Sequence, residues 1–266
     1  MDMENITVNE LDFTNEHTRL FEIQGGLAKK RFEAKNVPCH LFADANEIYP
    51  FIMEFVKERP WIKNIAFSDG VTLYQLNLFD WVRENFQEKD GFTINQPLER
   101  GKTGQFAVYG DQPPGRMQIP YDEWKLMNDK WYQGMRDSLM SDLLIISANA
   151  ITMNGEIVSI DGMGNRVAGM IFGPRHVLVI VGRNKIAKDL ETAIDRIHSY
   201  TVPMTYLRHN MKHWCNFQEV PCVKFGKCAN CSHPESACRN KVVINGQVKQ
   251  HSDRIHVMLI NQELGF

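Results

Sequence analysis

Four cysteines fall within one short stretch, Cys222, Cys228, Cys231 and Cys238, spaced C-x5-C-x2-C-x6-C. A C-x2-C pair lets two thiolates grip one metal centre from a tight turn, and the outer cysteines can close the site. Gly226 and Pro234 allow the chain to wrap. Lys224, Lys227 and Arg239 are expected to lower the thiol pKa values and offset thiolate charge. Zinc takes four such ligands, usually as two close pairs, and this loop has one close pair. Iron–sulfur clusters are also held by four cysteines, although the spacing here matches neither common ferredoxin run. A [4Fe–4S] cluster is the first reading and zinc the alternative, with free thiols or a partial disulfide behind them. Cys215, His213 and His233 are possible substitute outer ligands, and His233 and His213 are more simply polar loop residues. Cys39 reads as a small buried hydrophobe.

A second set of reactive side chains lies between Leu143 and Lys185. Two apolar runs, Leu143–Ser147 and Val177–Val181, each lead into a Gly/Asn-rich turn. The first passes Asn149, a hairpin-like pair around Met153-Asn154-Gly155, and Asp161-Gly162-Met163-Gly164-Asn165-Arg166. The second leads into Gly182-Arg183-Asn184-Lys185. In an open α/β sheet, ligands bind outside the carboxyl ends of the strands. Glycine lets backbone approach a ligand closely, and Arg166 and Lys185 supply charge for a carboxylate or phosphate. Asn149, Asp161, Asn165, Arg166, Asn184 and Lys185 are therefore the expected ligand-binding residues, with Thr72 from a third turn. The plain alternative is a pair of tight turns without a ligand.

These residues need a scaffold, and the chain offers one. Its 266 residues suffice for one large domain or two small ones. Thirty basic and 32 acidic residues give a net charge of -2, which makes no electrostatic case for nucleic acid. The polar, acidic start MDMENITVNELDF does not resemble a secretory signal. No apolar run approaches the ~20 residues that span a bilayer. The expectation is a cytoplasmic protein without membrane insertion, in which clustered cysteines point to metal.

A loose tail over 1–13 precedes a helix over 14–35, with Leu20, Ile23 and Leu27 inside and a kink or break at Gly25-Gly26. Residues 1–36 form this tail and helix, and 37–266 a single α/β domain. A strand over 37–43 leads to the capping box Asp44–Glu47 and a helix ending near Pro60. A strand over 64–67 leads to Ser68-Asp69-Gly70 and a helix through Val82. That turn suits an anion cradle, or N-capping by Ser68 or Asp69. Residues 86–120 are punctuated by glycine and proline and read as an irregular insert. Thr103–Tyr109 is a possible short strand there, and Arg100, Lys102 and Arg116 are lid contacts at most. A helix over 121–141 carries Trp124, Met127, Trp131, Met135 and Leu139 as core. Residues 164–172 begin a helix that places Asn165 and Arg166 at its start. A helix over 186–200 closes a strand–turn–helix unit, so the central sheet is mostly parallel. A short helix over 204–212 follows, then the cysteine loop over 213–240 and strands over 242–245 and 255–260. One of Arg254 and His256 could face the pocket, though a paired histidine is the simpler expectation for His256.

The pattern ANAIT…NGE…S.DG.GNR.A.MIFGP…V..VG.NKI resembles the LUD family, which includes lactate utilization protein C. The likeness runs on through Lys188-Asp189-Leu190, Ala193 and Ile197, and resumes at Arg254–Val257 and Glu263–Phe266. It covers about residues 37–85 and 125–266. It departs from the family at Ser68-Asp69-Gly70, where family members carry Gly-Gly-Ser before Val-Thr-Leu. The resemblance implies an α/β fold of the isomerase/CoA-transferase-like (NagB/RpiA) group and a role linked to lactate oxidation. A similar cysteine loop occurs in a subset of LUD-like proteins. One functional expectation is therefore a small-carboxylate binder that acts as an iron–sulfur component beside oxidoreductase partner subunits. The alternatives are a non-redox isomerase/CoA-transferase-like enzyme with structural zinc, or a scaffold subunit. A CoA-transferase needs a carboxylate nucleophile, for which Asp161 and Glu156 are nearest. No Ser-His-Asp order, P-loop or strand-borne Gly-x-Gly-x-x-Gly supports hydrolase, ATP or NAD chemistry.

Overall fold

Leu143–Ile146 and His176–Gly182 are buried at every position, as strands inside a parallel sheet must be. The computed structural model describes residues 12–96, 121–212 and 218–266. Within them the strands are β1 (Cys39–Phe42), β2 (Asn64–Phe67), β3 (Thr93–Asn95), β4 (Leu143–Ile146) and β5 (Ala150–Thr152). They continue as β6 (Ile157–Asp161), β7 (His176–Gly182), β8 (Ile186–Ala187), β9 (Asn240–Ile244) and β10 (Ile255–Ile260). The helices are α1 (Thr14–Glu33), α2 (Ile48–Lys57), α3 (Val71–Gln75), α4 (Leu78–Asn85), α5 (Tyr121–Ser138) and α6 (Asn165–Ile171). After them come α7 (Leu190–Arg196), α8 (Val202–Lys212) and α9 (Pro221–Lys224).

Six strands form a central sheet in the order β1-β10-β7-β4-β2-β3. Every pairing in it is parallel. Alternate residues of β10 serve two cores. Met258 and Ile260 pack with Ile52, Phe55, Leu73 and Val82 on the α2–α4 face. Ile255, Val257 and Leu259 pack with Phe21, Phe32, Ile151 and Met170 on the other. Each such side chain contributes roughly 1.5–3 kcal/mol relative to exposure. The result is an α/β fold with a parallel sheet flanked by helices.

A second sheet, in the order β8-β5-β6-β9, lies on the α1 face. β5 and β9 both run antiparallel to β6, while β8 is parallel to β5. Burial of both sides of β6 sandwiches this sheet between the main sheet and α7–α8. The antiparallel partnership of β9 with β6 sets it apart from β10, although the sequence reads both alike.

Several expectations are corrected. α1 is one unbroken helix, and its inner face is Phe21, Gly25, Ala28 and Phe32. Gly25 faces Leu41, so close packing against β1 replaces the expected break. Leu20, Ile23 and Leu27 are instead exposed, because that face points away from the sheet. The helix after β2 divides at Asn77, which adopts a left-handed conformation (φ 48°) between α3 and α4. Neither Ser68 nor Asp69 caps α3, whose N-cap is Gly70. Thr93–Asn95, within the expected irregular insert, extends the sheet beside β2. The rest of that insert from 97 to 120, with Thr103–Tyr109, Arg100, Lys102 and Arg116, lies outside the described residues. So do His213, Cys215 and the Trp124, Met127 and Trp131 side chains. Ile186 and Ala187 pair with β5 rather than starting a helix. α7 starts later, where Asp189 accepts from the Thr192 backbone. A π-helical turn, Ile197–Thr201, joins α7 to α8.

Candidate functional site

The carboxyl ends of β2, β4 and β7 open onto one cavity of about 400 Å³. Thr72 arrives on the first turn of α3, Ser147 and Ala148 at the end of β4, and Lys185 on the turn after β7. Asp161, at the end of β6, and Asn165 and Arg166, at the start of α6, form the facing wall. Two glycines make this assembly possible. A Cβ on Gly182 would come within 2.6 Å of Gln262 O and Leu264 N, so only glycine lets the C-terminal segment pass. Gly265 has φ +66°, and its Cβ would stand 2.6 Å from Thr72 Oγ1 and 2.9 Å from Lys185 Nζ.

Lys185 is only 4% exposed. Its Nζ donates to Thr72 Oγ1 at 2.9 Å, Ser147 Oγ at 3.2 Å and Ala148 O at 3.3 Å. Burial pushes its ammonium down from the ordinary lysine range to about 7, and the Arg196 and Arg166 guanidiniums add to the push. Arg166 is held in place by Asp161, which accepts from the Arg166 backbone at 3.1 Å and lies 3.6 Å from its side chain. Its guanidinium also donates to Ile160 O at 3.1 Å. Asn149 accepts from Ile160 N at 2.8 Å and thereby ties β6 to the end of β4.

Six of the seven expected residues thus meet at one cavity: Thr72, Asn149, Asp161, Asn165, Arg166 and Lys185. Asn184 does not line it. Its amide bonds Leu264 N at 3.0 Å and Gly265 O at 3.2 Å, so it straps the C-terminal segment across Lys185. That segment packs on the body, with Leu264 buried. Sequence reasoning missed Ser147, Thr201, Arg208, His209 and Phe266, which also line the cavity. Ser147 follows directly on a buried strand and was open to detection by that position. Residues on α8 had no comparable signal. Glu156 is engaged with Thr152 at 2.7 Å in the β5–β6 hairpin and does not reach the cavity. Arg254 donates to the Gly169 and Met170 carbonyls in the last turn of α6 and to Pro174 O beyond it, so it stabilises that helix end. His256 lies within the first residues of β10 and faces Asp253, His176 and His40 rather than the cavity.

The cysteine loop lies next door. Cys222, Cys228, Cys231 and Cys238 line a single smaller cavity of about 150 Å³ with His198 and Lys241. Ile160 and Val202 line both cavities. Ala237 reaches the larger one and packs on Gly162. Cys228 Sγ lies 3.5 Å from His198 Nδ1 and accepts from Asn230 N at 3.4 Å. Asn230 holds a left-handed turn, φ 47°, inside the C-x2-C pair. The expected lowering of the thiol pKa values does not occur at Cys222 or Cys238. Burial raises both, and the neighbouring cysteines raise them further. Lys224 is spent on Glu219 at 2.6 Å, and Arg239 on the carbonyls of His233 and Pro234. Among the described residues, the ligand atoms that gather within 4.8 Å of one another are those of His176, Asp253 and His256. Arg59 already pairs with that Asp253 at 2.9 Å. The loop thiols share a cavity but are not drawn that close. All five described cysteines are free thiols, and Cys39 is buried with its thiol pushed up to about 12.

A sequence model of the LUD domain matches residues 26–260. The chain belongs to the LUD domain family. Among solved structures, this LUD-domain chain is similar to a DUF162 family protein from Deinococcus radiodurans. The identity is 10% and the TM-score 0.38, over 94% of this chain and 99% of that one. It is also similar to eIF2B delta from Chaetomium thermophilum, at 12% identity and TM-score 0.26, over 68% of this chain and 54% of that one. No curated protein sequence matches it. No helix among the described residues of this LUD-domain protein is long and apolar enough to cross a membrane.

Proposed function

We propose that this LUD-domain protein binds a small carboxylate, a 2-hydroxy or 2-oxo acid, in the cavity above β2, β4 and β7. Family membership supports a lactate-utilization-type role. The observation that carries the ligand is the meeting of two basic side chains at one cavity, the Lys185 amine among hydroxyls and a carbonyl and the Arg166 guanidinium on the facing wall. The guanidinium matches a carboxylate in charge and shape, and the amine can donate to it in either charge state.

The four loop cysteines are the ligands for a [4Fe–4S] cluster in this reading. Tetrahedral zinc with Zn–S bonds near 2.3 Å holds sulfurs about 3.8 Å apart. Among the described residues no three of these thiols gather within 4.8 Å of one another, and a cluster, whose irons and sulfides stand between the ligands, asks for looser spacing than zinc does. Cys222 and Cys238, whose thiols are raised by burial and then by the neighbouring cysteines, would gain from a cationic centre that offsets thiolate charge. A cluster held there would carry one electron at a time. Oxidation of a 2-hydroxy acid releases two electrons and two protons, so the step itself would need a two-electron acceptor on an iron–sulfur oxidoreductase partner, with the cluster passing single electrons onward. Among the described residues, Ile160 and Val202 are the two that line both cavities. The chain's own part is to orient the acid through Arg166, exclude water, and hold the thiols beside it.

Anaerobically purified protein is expected to contain iron and sulfide and to bleach with dithionite. D-lactate, L-lactate and pyruvate are expected to raise its melting temperature, and sugar phosphates and CoA esters are not. Stoichiometric zinc without iron overturns the electron-carrying role. An Arg166→Ala variant that keeps the full stabilisation by lactate overturns the cavity assignment.

A further inference from the structure

Lys185 has a partner set that fits two charge states. Ala148 O can only accept, but the hydroxyls of Thr72 and Ser147 can turn and donate to a free amine. Those two hydroxyls are themselves 3.2 Å apart, and Ser147 also reaches Ala148 O at 3.3 Å. Among the described residues no carboxylate is a hydrogen-bond partner of Nζ, and the charges that act on it come from Arg196 and Arg166. A lysine kept for a structural ion pair sits beside a carboxylate. This one sits instead at the edge of a cavity large enough for a small acid.

We propose that Lys185 is a catalytic residue that captures a 2-oxo acid covalently, its ε-amine condensing with the keto carbon while Arg166 holds the carboxylate. This rests on the carboxylate-binding reading above and adds the bond. The amine lone pair attacks the keto carbon, a C–N bond forms, and the carbonyl π electrons pass to oxygen, which takes a proton. The oxygen then leaves as water together with both amine hydrogens, and a C=N bond remains. One imine and one water form, and nothing is oxidised or reduced. The Thr72 and Ser147 hydroxyls lie where they can pass protons between the nitrogen and the departing oxygen. A desolvated lysine beside other cations is an activated nucleophile because it gives up its proton easily, and burial of the same site protects an imine from water.

Borohydride trapping tests this on the wild-type protein. The protein is incubated with pyruvate, reduced with sodium borohydride, and analysed by intact mass and peptide mapping. The expected result is one reduced pyruvate per chain, attached at Lys185, with lactate giving no adduct and competing with pyruvate. The adduct is expected to be lost in Lys185→Met. The wild-type peptide map decides the matter even if that variant folds poorly. Labelling spread over surface lysines, or absent from Lys185, while pyruvate still raises the melting temperature, overturns the imine and leaves the carboxylate cavity standing. Absence of both adduct and stabilisation by pyruvate or lactate removes both.

Discussion

The amine cavity and the thiol cavity touch through Ile160 and Val202 but are built in opposite ways. The first draws Thr72, Ser147, Arg166, Lys185 and Gly265 from separate strand ends, and Lys185 bonds a residue 113 positions away. Thr72, Ser147 and Lys185 are buried and Arg166 is tied to Asp161 before any ligand arrives. The second draws four donors from one loop, of which Cys228 and Cys238 are exposed. A site made by the sheet is preorganised, so its ligand need not order it. A site made by one loop takes its final shape from what it binds, because metal binding and local folding are linked.

The largest effect that sharpens this contrast is expected from Cys231→Ser. It should abolish iron and sulfide content and make residues 222–238 protease-sensitive, while the melting-temperature shift given by pyruvate persists. Loss of the pyruvate shift in that variant would mean the cavities are not independent. Next is Gly265→Val, which drives a side chain onto Thr72 and Lys185. It should abolish stabilisation by lactate and pyruvate, cost roughly 1–3 kcal/mol, and leave metal content intact. Retained ligand stabilisation would show that the cavity is looser than its contacts indicate.

The third test is a pH slope. Burial lowers the Lys185 ammonium in the folded chain to about 7, below the ordinary lysine value of 10.5. Between those values the unfolded chain holds a proton that the folded chain does not, so stability rises with pH across that window. The contribution is fully present above 10.5, is lost as pH falls toward 7, and is flat below. The groups facing the amine are Thr72, Ser147, Arg196 and Arg166, the last also paired with Asp161. Lys185→Met should therefore gain most over wild type at pH 7 and least near pH 10 in chemical denaturation. An equal difference at both pH values would mean that the lysine remains charged when buried.

The parallel centre was legible because β4 and β7 are continuous apolar runs followed by glycine turns. The capping box at Asp44 was legible because both reciprocal bonds depend on residue types three apart, and both form. α1 was misread because its true inner face uses Gly25 and Ala28, small residues that let the helix approach β1, while larger Leu20, Ile23 and Leu27 point outward. Hydrophobic size alone selects the wrong stripe there. The second sheet was not foreseen, since β8 is two residues long and the β6–β9 pairing is set by long-range packing. Of the candidate site, the charged and amide groups were legible from their turns. The role of Asn184 was not, because nothing local says that it reaches across to Leu264 and Gly265.

The π-helical turn at Ile197–Thr201 belongs to both neighbourhoods. His198 faces the thiols, Thr201 faces the amine cavity, and Arg196 just before it clamps the Asn149 and Asn184 carbonyls and the Thr201 hydroxyl. Such single-turn widenings are rare in helices and gather where proteins act. A rearrangement of the sulfur side would push on this segment like a lever, and the acid's seat lies at the lever's other end.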